Sequence, residues 1–499
     1  PNYYEWVTCQ MATALAGFIQ VNINPSYQAE EVRYALDKVG VRVLITPKSF
    51  KKSDYYRTLQ EVIPNIASAR KGYGHIKSTR VPTLEHLILF GETEKHRGAW
   101  SYADLLAGVG SFSDRRLKVL EDTVKVDDPV NIQYTSGTTG HPKGATLTHH
   151  GLLNNSYFQG LRSNYHIGDH SICIMNPLYH CFGSSMGVLN AIVHKQTCVF
   201  PDAGFNNKRS LEVVAKEKCT SLYGTPTMFI DVLSEIDHVK KKNLDLSALN
   251  AGYICGAPCP PSLCDRLIKE LGMKNLAILY GSTELSPIVT MTRLEDPIEK
   301  RYRNVGYALD HVELQVIDDE GQVVERGVKG QLLARSYGRM RGYYNDEEKT
   351  RKEVSTAGWY HTGDTASMAE DGAVSIIGRS KEMIIRGGEN IYPTEIENYL
   401  LKLPGVADAQ VIGVPDERFG EAVCAWIRLK EGVTGVTPET IQEACKGKIA
   451  HFKIPRYILI KAEADFPMTA TGKVKKFQLR EISKRELGLD QVASHFGDN

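Results

Sequence analysis

The sequence has no hydrophobic run of the roughly 20 residues that a membrane helix needs, and it has no excess of charge of one sign. Its 60 lysines and arginines almost balance 59 aspartates and glutamates over 499 residues. This balance excludes a global electrostatic field that would draw the protein to nucleic acid or to an anionic membrane. We therefore predict a globular protein with no transmembrane segment and no nucleic-acid partner, in which any anion site is local.

Cysteines are few and have no regular spacing. The ten of them come closest together at Cys255, Cys259 and Cys264, and no fourth ligand at suitable spacing completes a zinc site there. The sequence favours reduced, mostly buried thiols over a metal centre.

Strand-like apolar runs alternate with helical patterns, which predicts an α/β fold of stacked layers. We expect strands within 41–46, 131–135, 251–256 and 276–281, and helices within 26–39, 209–218 and 260–272. Short alternating runs follow from about residue 305, where "VELQVIDDEGQVV" indicates a hairpin. The segment 305–379 is thus predicted to be a smaller β-rich subdomain of a large domain that spans 1–379.

A second unit is predicted over residues 380–499, with the domain boundary near 379–381. Its pattern is helix, strand 409–415, strand 421–429, helix 438–450 and a final strand, which is typical of a small α+β domain. The first helix is expected to begin with a capping box formed by Thr394 and Glu397 and to end at Pro404-Gly405.

The stretch "YTSGTTGHPKG" (134–144) has the composition of a phosphate-binding loop but not its usual spacing. A Walker loop needs GxxxxGK[ST] before a helix, whereas here Lys143 is followed by Gly144 and a second strand-like run. We predict a loop between two strands, with a helix only after Thr148. Its glycines, hydroxyls and lysine suit a triphosphate, although such a loop on its own is more often plain surface.

Four further motifs carry polar groups at predicted strand ends or turns, where α/β folds collect ligands. They are "YGSTE" (280–284), "WYHTGD" (359–364), "GRSKE" (378–382) and "PMTATGKVKK" (467–476). Tyr280 can stack on a base, Glu284 can hold Mg²⁺, and Asp364 can accept hydrogen bonds from ribose. Each also has an ordinary structural explanation, but the set together favours a nucleotide enzyme.

In this order the motifs, with "PLYHCFG" (177–183) and "GAP" (256–258), resemble the acyl-adenylate-forming family of acyl-CoA synthetases, aryl-CoA ligases, luciferases and adenylation domains. The resemblance spans the whole chain and is strongest to mitochondrial synthetases that act on medium-chain fatty acids. It implies an AMP-forming acid–thiol ligase with ATP, Mg²⁺ and coenzyme A, a large N-terminal domain and a mobile C-terminal domain. It also leads us to expect that an N-terminal segment, including any mitochondrial targeting peptide, precedes Pro1 in the full protein.

The resemblance also implies roles for individual residues. Lys473 would be the catalytic cation, with Thr283, Glu284 and His180 beside it and Glu284 as the Mg²⁺ ligand. The ATP site would comprise Thr135, Ser136, Gly137, Thr138, Thr139, Gly140, Lys143, Gly256, Ala257, Pro258, Tyr280, Gly281, Ser282, Asp364 and Arg379. Lys381 would be the hinge of the mobile domain, and coenzyme A would pass Gly387, Gly388, Glu389 and Asn390.

Two positions and two rival functions stay open at this point. His180 is either a packed ring or a donor beside the acyl carbonyl. Gly281 replaces the tryptophan of acetyl-specific relatives, which predicts an open acyl pocket. The rivals to a fatty acid ligase are another carboxylate-adenylating enzyme, acting on aryl or amino acids or as a luciferase, and a catalytically silent or truncated form. The oligomeric state is not predicted.

Overall fold

The computed structural model describes residues 1–110, 112–135, 142–257, 259–379, 382–386, 389–416, 419–469 and 472–491, with only the backbone of Phe112, Ser113 and Asn390. Over these residues it alternates helices and strands, as the sequence predicts. The helices are α1 (Tyr4–Leu15), α2 (Ala29–Lys38), α3 (Tyr55–Val62), α4 (Tyr102–Ala107), α5 (Phe112–Glu121), α6 (His149–Arg162), α7 (Asn190–Val193), α8 (Asn207–Lys216), α9 (Pro226–Ser234), α10 (Ile236–Lys242), α11 (Pro261–Leu271), α12 (Ile298–Arg301), α13 (Glu347–Glu353), α14 (Pro393–Leu400), α15 (Pro438–Cys445) and α16 (Lys476–Glu486).

The strands are mostly short. They are β1 (Gln20–Asn22), β2 (Val43–Pro47), β3 (Ser49–Phe50), β4 (Ser53–Asp54), β5 (His86–Phe90), β6 (Trp100–Ser101), β7 (Pro129–Thr135), β8 (Lys143–Thr148), β9 (Ser171–Ile174), β10 (Thr197–Val199), β11 (Ser221–Gly224), β12 (Ala251–Ile254), β13 (Asn275–Gly281), β14 (Ile288–Met291), β15 (Tyr307–Ala308), β16 (Val312–Ile317), β17 (Gly330–Ser336), β18 (Gly342–Tyr343), β19 (Tyr360–Met368), β20 (Val374–Arg379), β21 (Ile384–Arg386), β22 (Glu389–Ile391), β23 (Val406–Asp416), β24 (Gly420–Leu429) and β25 (Tyr457–Ile460).

A seven-stranded sheet in the order β10-β9-β11-β12-β13-β14-β15 forms the centre of the larger part of the molecule. Its first five strands are parallel, and β14 and β15 are antiparallel. Parallel strands need cover on both faces, and residues of this sheet accordingly contribute to two separate buried cores. The motif "YGSTE" begins at the carboxyl end of β13, so a strand buried in the centre of the sheet supports it.

Two further sheets carry the other motifs. One has the order β1-β7-β8-β18 and holds both sides of the phosphate-loop candidate. The other, β16-β17-β19-β20, is antiparallel and pairs "WYHTGD" with "GRSKE". Smaller sheets β2-β5-β6 and β3-β4 lie near the N-terminal end of the sequence.

The C-terminal part is built on the sheet β22-β21-β24-β23, with β25 also paired to β24. Alternate residues of β24 face opposite sides. Val423, Ala425 and Ile427 pack with α14 and α15, whereas Cys424 and Trp426 pack with Phe466 and Leu479 of the other side. Helices on both faces explain why the sequence of β24 is almost uniformly apolar.

Several local predictions are confirmed. β7 and β8 flank the loop, and α6 begins after Thr148, whose hydroxyl accepts a hydrogen bond from the Gly151 amide. The predicted helices at 26–39, 209–218 and 260–272 appear as α2, α8 and α11.

Two local predictions are wrong. Thr394 does not cap α14, because Pro393 already occupies the first helical turn and Tyr392 is the cap residue. Glu397 instead accepts hydrogen bonds from the Val411 amide and the Lys476 ammonium. Helix α15 ends at Cys445, because Lys446 is extended.

The predicted hairpin after β16 forms, but its second arm is short. The Asp318 amide donates to the Gln322 carbonyl, and the Val324 amide donates to the Val316 carbonyl. Val323 makes an isolated antiparallel bridge to Ile317. The ladder partner of β16 is β17, which begins at Gly330.

No helix among the described residues combines the length and the apolar character required to span a bilayer.

Candidate active site

The phosphate-loop candidate is anchored at both ends by paired strands. Thr135, the last residue of β7, pairs directly with Lys143, the first residue of β8. Ser136, Gly137, Thr138, Thr139 and Gly140 lie outside the described residues. The strand pairing nonetheless fixes where the loop leaves and re-enters the sheet.

Lys143 points into a cluster of tyrosine and acidic side chains. Its side chain is only 11% exposed, and Nζ lies 3.7 Å from Glu353 Oε1. The same ammonium lies 5.2 Å from the centre of the Tyr343 ring, within the range of a cation–π contact. The lysine is therefore held against β18 and α13.

Glu353 is the centre of this cluster. It lies 2.7 Å from Lys349 Nζ and accepts a hydrogen bond of 2.7 Å from the Tyr343 hydroxyl. Burial disfavours the charged carboxylate, but the hydrogen bonds from Lys349 and Tyr343 outweigh it, so the pKa of Glu353 is lowered. Glu353 is thus an anion that two lysines approach.

Tyr343 links this cluster to Glu284. Its hydroxyl lies 2.9 Å from Glu284 Oε1 as well as 2.7 Å from Glu353 Oε2. A phenol carries one proton, so it can donate to only one of the two carboxylates at a time. Burial and the charge of Glu284 raise the pKa of Tyr343 far above its usual value, which keeps that proton on the oxygen.

Glu284 itself is held rigidly after β13. It lies in the short 3₁₀ helix Thr283–Leu285, and the side chain is buried. The Thr283 hydroxyl lies 3.6 Å from Cys181 Sγ, next to His180 in the chain. The structure therefore brings Thr283, Glu284 and the His180 turn together, as the sequence predicts.

Asp364 is fixed by two of the predicted nucleotide residues. Tyr280 donates a hydrogen bond of 2.5 Å to Asp364 Oδ2, and Arg379 Nε lies 3.3 Å from Asp364 Oδ1. Asp364 and Arg379 are direct partners in the β19–β20 ladder. Burial and the charge of Asp364 raise the pKa of Tyr280 well above its usual value. The carboxylate, the guanidinium and the ring thus form one preorganised group.

The motif around Gly256 follows β12. Gly256 has a φ of +91°, and a side chain there would come within 3.6 Å of Thr225 at the start of α9. Left-handed backbone of this kind favours glycine. Ala257 follows it, and Pro258 lies outside the described residues.

Gly281 has a different explanation from the one the sequence suggested. A Cβ atom at this position would lie 1.9 Å from the backbone oxygen of Pro287. The register of β13 and β14 shifts between Tyr280 and Gly281, and the Ser282 amide donates to that same oxygen. Glycine is therefore required by close backbone approach, and its use as a gauge of an open acyl pocket is not supported.

Lys473 comes from the C-terminal part and reaches this same region. The turn that carries it is closed by hydrogen bonds from the Thr469 amide to the Lys473 carbonyl and from the Lys473 amide to the Thr469 hydroxyl. Lys473 is solvent-exposed as a residue, although many protein atoms lie around its ammonium group. Burial and the positive charge of Arg379 lower the pKa of Lys473 to about 8, against the opposing charges of Glu382 and Asp364.

His180 faces Lys473. Burial and the charge of Lys473 lower the pKa of His180 to about 4, so the ring is neutral at neutral pH. Its Nδ1 accepts a hydrogen bond of 3.2 Å from the Phe182 amide, which places the remaining ring proton on Nε2. His180 is therefore a neutral donor with a fixed tautomer.

The predicted coenzyme A segment is only partly described. Glu389 pairs with Arg386 across the β21–β22 hairpin, and Asn390 pairs with Ile385. Gly387 and Gly388 lie outside the described residues, as does the hinge candidate Lys381. Their roles stay predictions.

Several residues of this site were missed by sequence reasoning. Tyr343 contacts Glu284, which lies 59 residues earlier in the chain, and Glu353 contacts Lys143. The charge of Glu382 acts on the pKa of Lys473. The stretch 336–344 around Tyr343 contains two arginines and is not an apolar strand-like run, so it gave no signal of a site residue. Glu353 has no such signal either, because it ends a short helix that consists entirely of polar residues.

Comparison with known proteins gives a consistent result. Residues 1–344 match the family model described as AMP-binding enzyme, and residues 395–473 match that of the AMP-binding enzyme C-terminal domain. The chain is 45% identical to "Medium-chain acyl-CoA ligase ACSF2, mitochondrial" of Danio rerio, over 98% of this chain and 79% of that protein. It is 42% identical to "Putative acyl-CoA synthetase YngI" of Bacillus subtilis, over 96% of this chain and 86% of that one.

Among solved structures, ATP-bound MatB from Rhodopseudomonas palustris superposes with a TM-score of 0.81 at 25% identity. The alignment covers 97% of this chain and 87% of that chain. The large N-terminal and small C-terminal arrangement is therefore that of a protein that has been observed with ATP.

Proposed function

The chain belongs to the AMP-binding enzyme family, and from that premise we propose that it is an ATP-dependent medium-chain fatty acid–CoA ligase that forms AMP. The observation that carries this proposal is the convergence of Lys473 from the C-terminal part with His180, Asp364 and Arg379 of the larger part. ATP, the fatty acid and coenzyme A are the substrates. The relatives' name also supports a mitochondrial location.

In the first half-reaction a carboxylate oxygen of the fatty acid attacks the α-phosphorus of ATP. The new bond gives an acyl-adenylate, and the bond to the β-phosphate oxygen breaks to release pyrophosphate. Negative charge concentrates on the α-phosphate oxygens and the incoming carboxylate. Lys473 is the cation we assign to those oxygens, and neutral His180 would donate Nε2–H to the acyl carboxylate without adding charge.

Asp364 and Arg379 would bind the ribose, with Tyr280 and the 256–258 segment on either side of adenine. Because Asp364 is already held by Tyr280 and Arg379, little reorganisation is needed when its oxygens accept from ribose hydroxyls. Residues 135–143 would hold the β- and γ-phosphates, with Lys143 as their positive charge.

Mg²⁺ fits the donor set at Glu284. The carboxylate is buried, and no cluster of three or more acidic, histidine or cysteine ligands occurs within the described ranges. Magnesium commonly binds through one or two carboxylates and shares the phosphates of its nucleotide. When bound, it would neutralise charge on the pyrophosphate. Tyr343 would orient Glu284 toward it.

In the second half-reaction the sulfur of coenzyme A attacks the acyl carbonyl. A thioester bond forms, the carbonyl–phosphate bond breaks, and AMP leaves. Lys473 has no task in this step, and the family's mobile C-terminal domain would remove it. We propose that the boundary of that domain lies at 379–381, with Lys381 as hinge and residues 387–390 along the path of coenzyme A.

The test is a direct product assay with ATP, coenzyme A and straight-chain acids of increasing length, read by mass spectrometry of the thioester and AMP. We expect AMP and octanoyl-CoA in equal amounts, with the highest kcat/KM for medium-length chains. Adenylation confined to aryl or amino acids, or light emission, would identify a different carboxylate-adenylating enzyme. No adenylate with any acid would identify a silent nucleotide-binding protein.

A further inference from the structure

One contact between the larger part and the Lys473 turn involves a residue to which no role has been assigned. The Thr227 hydroxyl, at the start of α9, donates a hydrogen bond of 3.1 Å to the backbone carbonyl of Gly472. Gly472 directly precedes Lys473. A backbone carbonyl one residue from the catalytic cation is therefore held by a side chain of the other part of the molecule.

Helix α9 is a rigid support for this contact. Thr225 caps it through a hydrogen bond from the Met228 amide, and Pro226 fills the first turn, as helix starts favour. Met228 and Phe229 anchor the opposite side in a buried core. Thr227 itself is only half-buried, so its hydroxyl stands on a fixed backbone at the edge of the site.

Gly472 allows the Lys473 turn to lie close to the start of α9. Gly472 has a φ of +77°, and a Cβ atom there would lie 3.6 Å from Thr227 Cβ and 3.9 Å from the Thr225 hydroxyl oxygen. The Gly472 amide donates to Thr469 O. The orientation of Lys473 is thus determined by a closed turn that rests on α9.

A second residue on the same face of α9 lies within the electrostatic influence of the C-terminal part. Asp231 lies four residues after Thr227, one helical turn further. Burial raises its pKa to about 6, and the charge of Glu463 adds to this rise while that of Arg428 opposes it. Arg428 and Glu463 form an ion pair of 2.7 Å within the C-terminal part. The face of α9 that carries Thr227 and Asp231 is therefore directed toward the C-terminal part.

We propose that Thr227 is a positioning residue for adenylation, which latches the Lys473 turn in place through the Gly472 carbonyl and is not used in thioester formation. The proposal rests on the function proposed above, because it assumes that Lys473 acts in the first half-reaction only. The Thr227 hydroxyl contacts no reacting atom. Its effect is on the fraction of molecules in which Lys473 is correctly placed.

The test compares two half-reactions in the full chain. Thr227→Val removes the hydroxyl while keeping a branched side chain, and Thr227→Ser keeps the hydroxyl. Exchange of labelled pyrophosphate into ATP with octanoate reports adenylation, and conversion of synthetic octanoyl-AMP and coenzyme A to thioester reports the second step. One hydrogen bond corresponds to a change of about 2- to 12-fold.

We expect Thr227→Val to slow pyrophosphate exchange within that range, mostly through kcat, while thioester formation from octanoyl-AMP stays at the wild-type rate. Thr227→Ser is expected to restore exchange. Ser234→Ala is the matched control, because it removes an exposed hydroxyl of the same helix that donates to the Asp231 carbonyl. Its exchange rate should equal that of the wild type.

An unchanged exchange rate in Thr227→Val would overturn the proposal. An equal loss in both half-reactions together with a lowered melting temperature would overturn it as well, because it would indicate that Thr227 has a purely structural role. Failure of the proposed function would be recognised differently. In that case the wild-type protein itself would exchange no pyrophosphate with any fatty acid.

Discussion

The two ends of the candidate site differ in how their charges are balanced. At the phosphate end, Lys143 and Lys349 already meet Glu353, and Glu353 shares Tyr343 with Glu284. All of these groups belong to one part of the molecule. At the reaction end, Lys473 crosses from the other part and joins Arg379, and its pKa is lowered by burial and by that neighbour.

The difference indicates two kinds of preorganisation. The phosphate end is a standing ion network, and under the proposed function the nucleotide phosphates would bind beside it, so its residues should matter for binding and stability. The reaction end is assembled only when the C-terminal part is docked, and it concentrates positive charge where anions must meet. Its residues should therefore matter for one chemical step and little for the fold.

The largest effect is expected at the reaction end. Lys473→Ala should lower pyrophosphate exchange by about 10²- to 10³-fold, the cost of removing one preorganised charge-stabilising group. Thioester formation from supplied acyl-AMP should remain near the wild-type rate. Lys475→Ala, an exposed lysine two residues away, is the control and should leave both rates unchanged. Equal losses in both half-reactions would remove the distinction between the two ends.

At the phosphate end, Tyr343→Phe should raise the Mg²⁺ concentration that gives half-maximal exchange by about tenfold, the usual scale for losing a residue that orients a metal ligand. The hydroxyl contacts Glu284 directly. Tyr344→Phe provides the neighbouring control. An unaltered Mg²⁺ requirement would mean that Glu284 is oriented without this tyrosine.

The standing network should also be visible in stability. Glu353→Gln leaves Lys349 and Lys143 beside a neutral group, and we expect the free energy of unfolding in urea to fall by about 1 to 3 kcal/mol, the cost of an unpaired polar group. Glu348→Gln, on the same helix and 79% exposed, should leave it unchanged within the error of the measurement. Equal effects of the two substitutions would contradict the idea of a network centred on Glu353.

The smallest effect is a pH dependence. The pKa of Lys473 is lowered to about 8, so its charge is complete well below that pH and is lost as the pH rises through it. Pyrophosphate exchange should therefore decline on the alkaline side with a midpoint near pH 8, and thioester formation from acyl-AMP should not show that midpoint. The same midpoint in both half-reactions would assign it to another group.

The parts of this picture that the sequence predicted are those with a local physical cause. Apolar runs of strand length gave β7, β12 and β13, and Thr148 identified the start of α6. The nucleotide motifs lie at strand ends and turns. Once the strands were predicted, the positions of these motifs in the fold could be predicted too. Asp364 and Arg379 then became partners because β19 and β20 are adjacent.

The failures have non-local causes. Glu397 looked like a capping residue because of its spacing from Thr394, but its carboxylate is used by Lys476, 79 residues later. The glycine at position 281 was interpreted as a sign of an open acyl pocket, but the backbone of Pro287 occupies the space that a side chain at this position would need. Glu353 belongs to the site only through contacts with segments distant in sequence, and no local pattern in its helix reveals it.

The account depends most on where Lys473 lies when substrates are present, and a crystal structure with ATP and an unreactive fatty acid analogue would measure this directly. We predict that Lys473 Nζ lies within about 3 Å of an α-phosphate oxygen, with Gly472 O still bonded to Thr227. A structure with Lys473 far from the α-phosphate, from an enzyme that still accumulates acyl-AMP, would contradict the account.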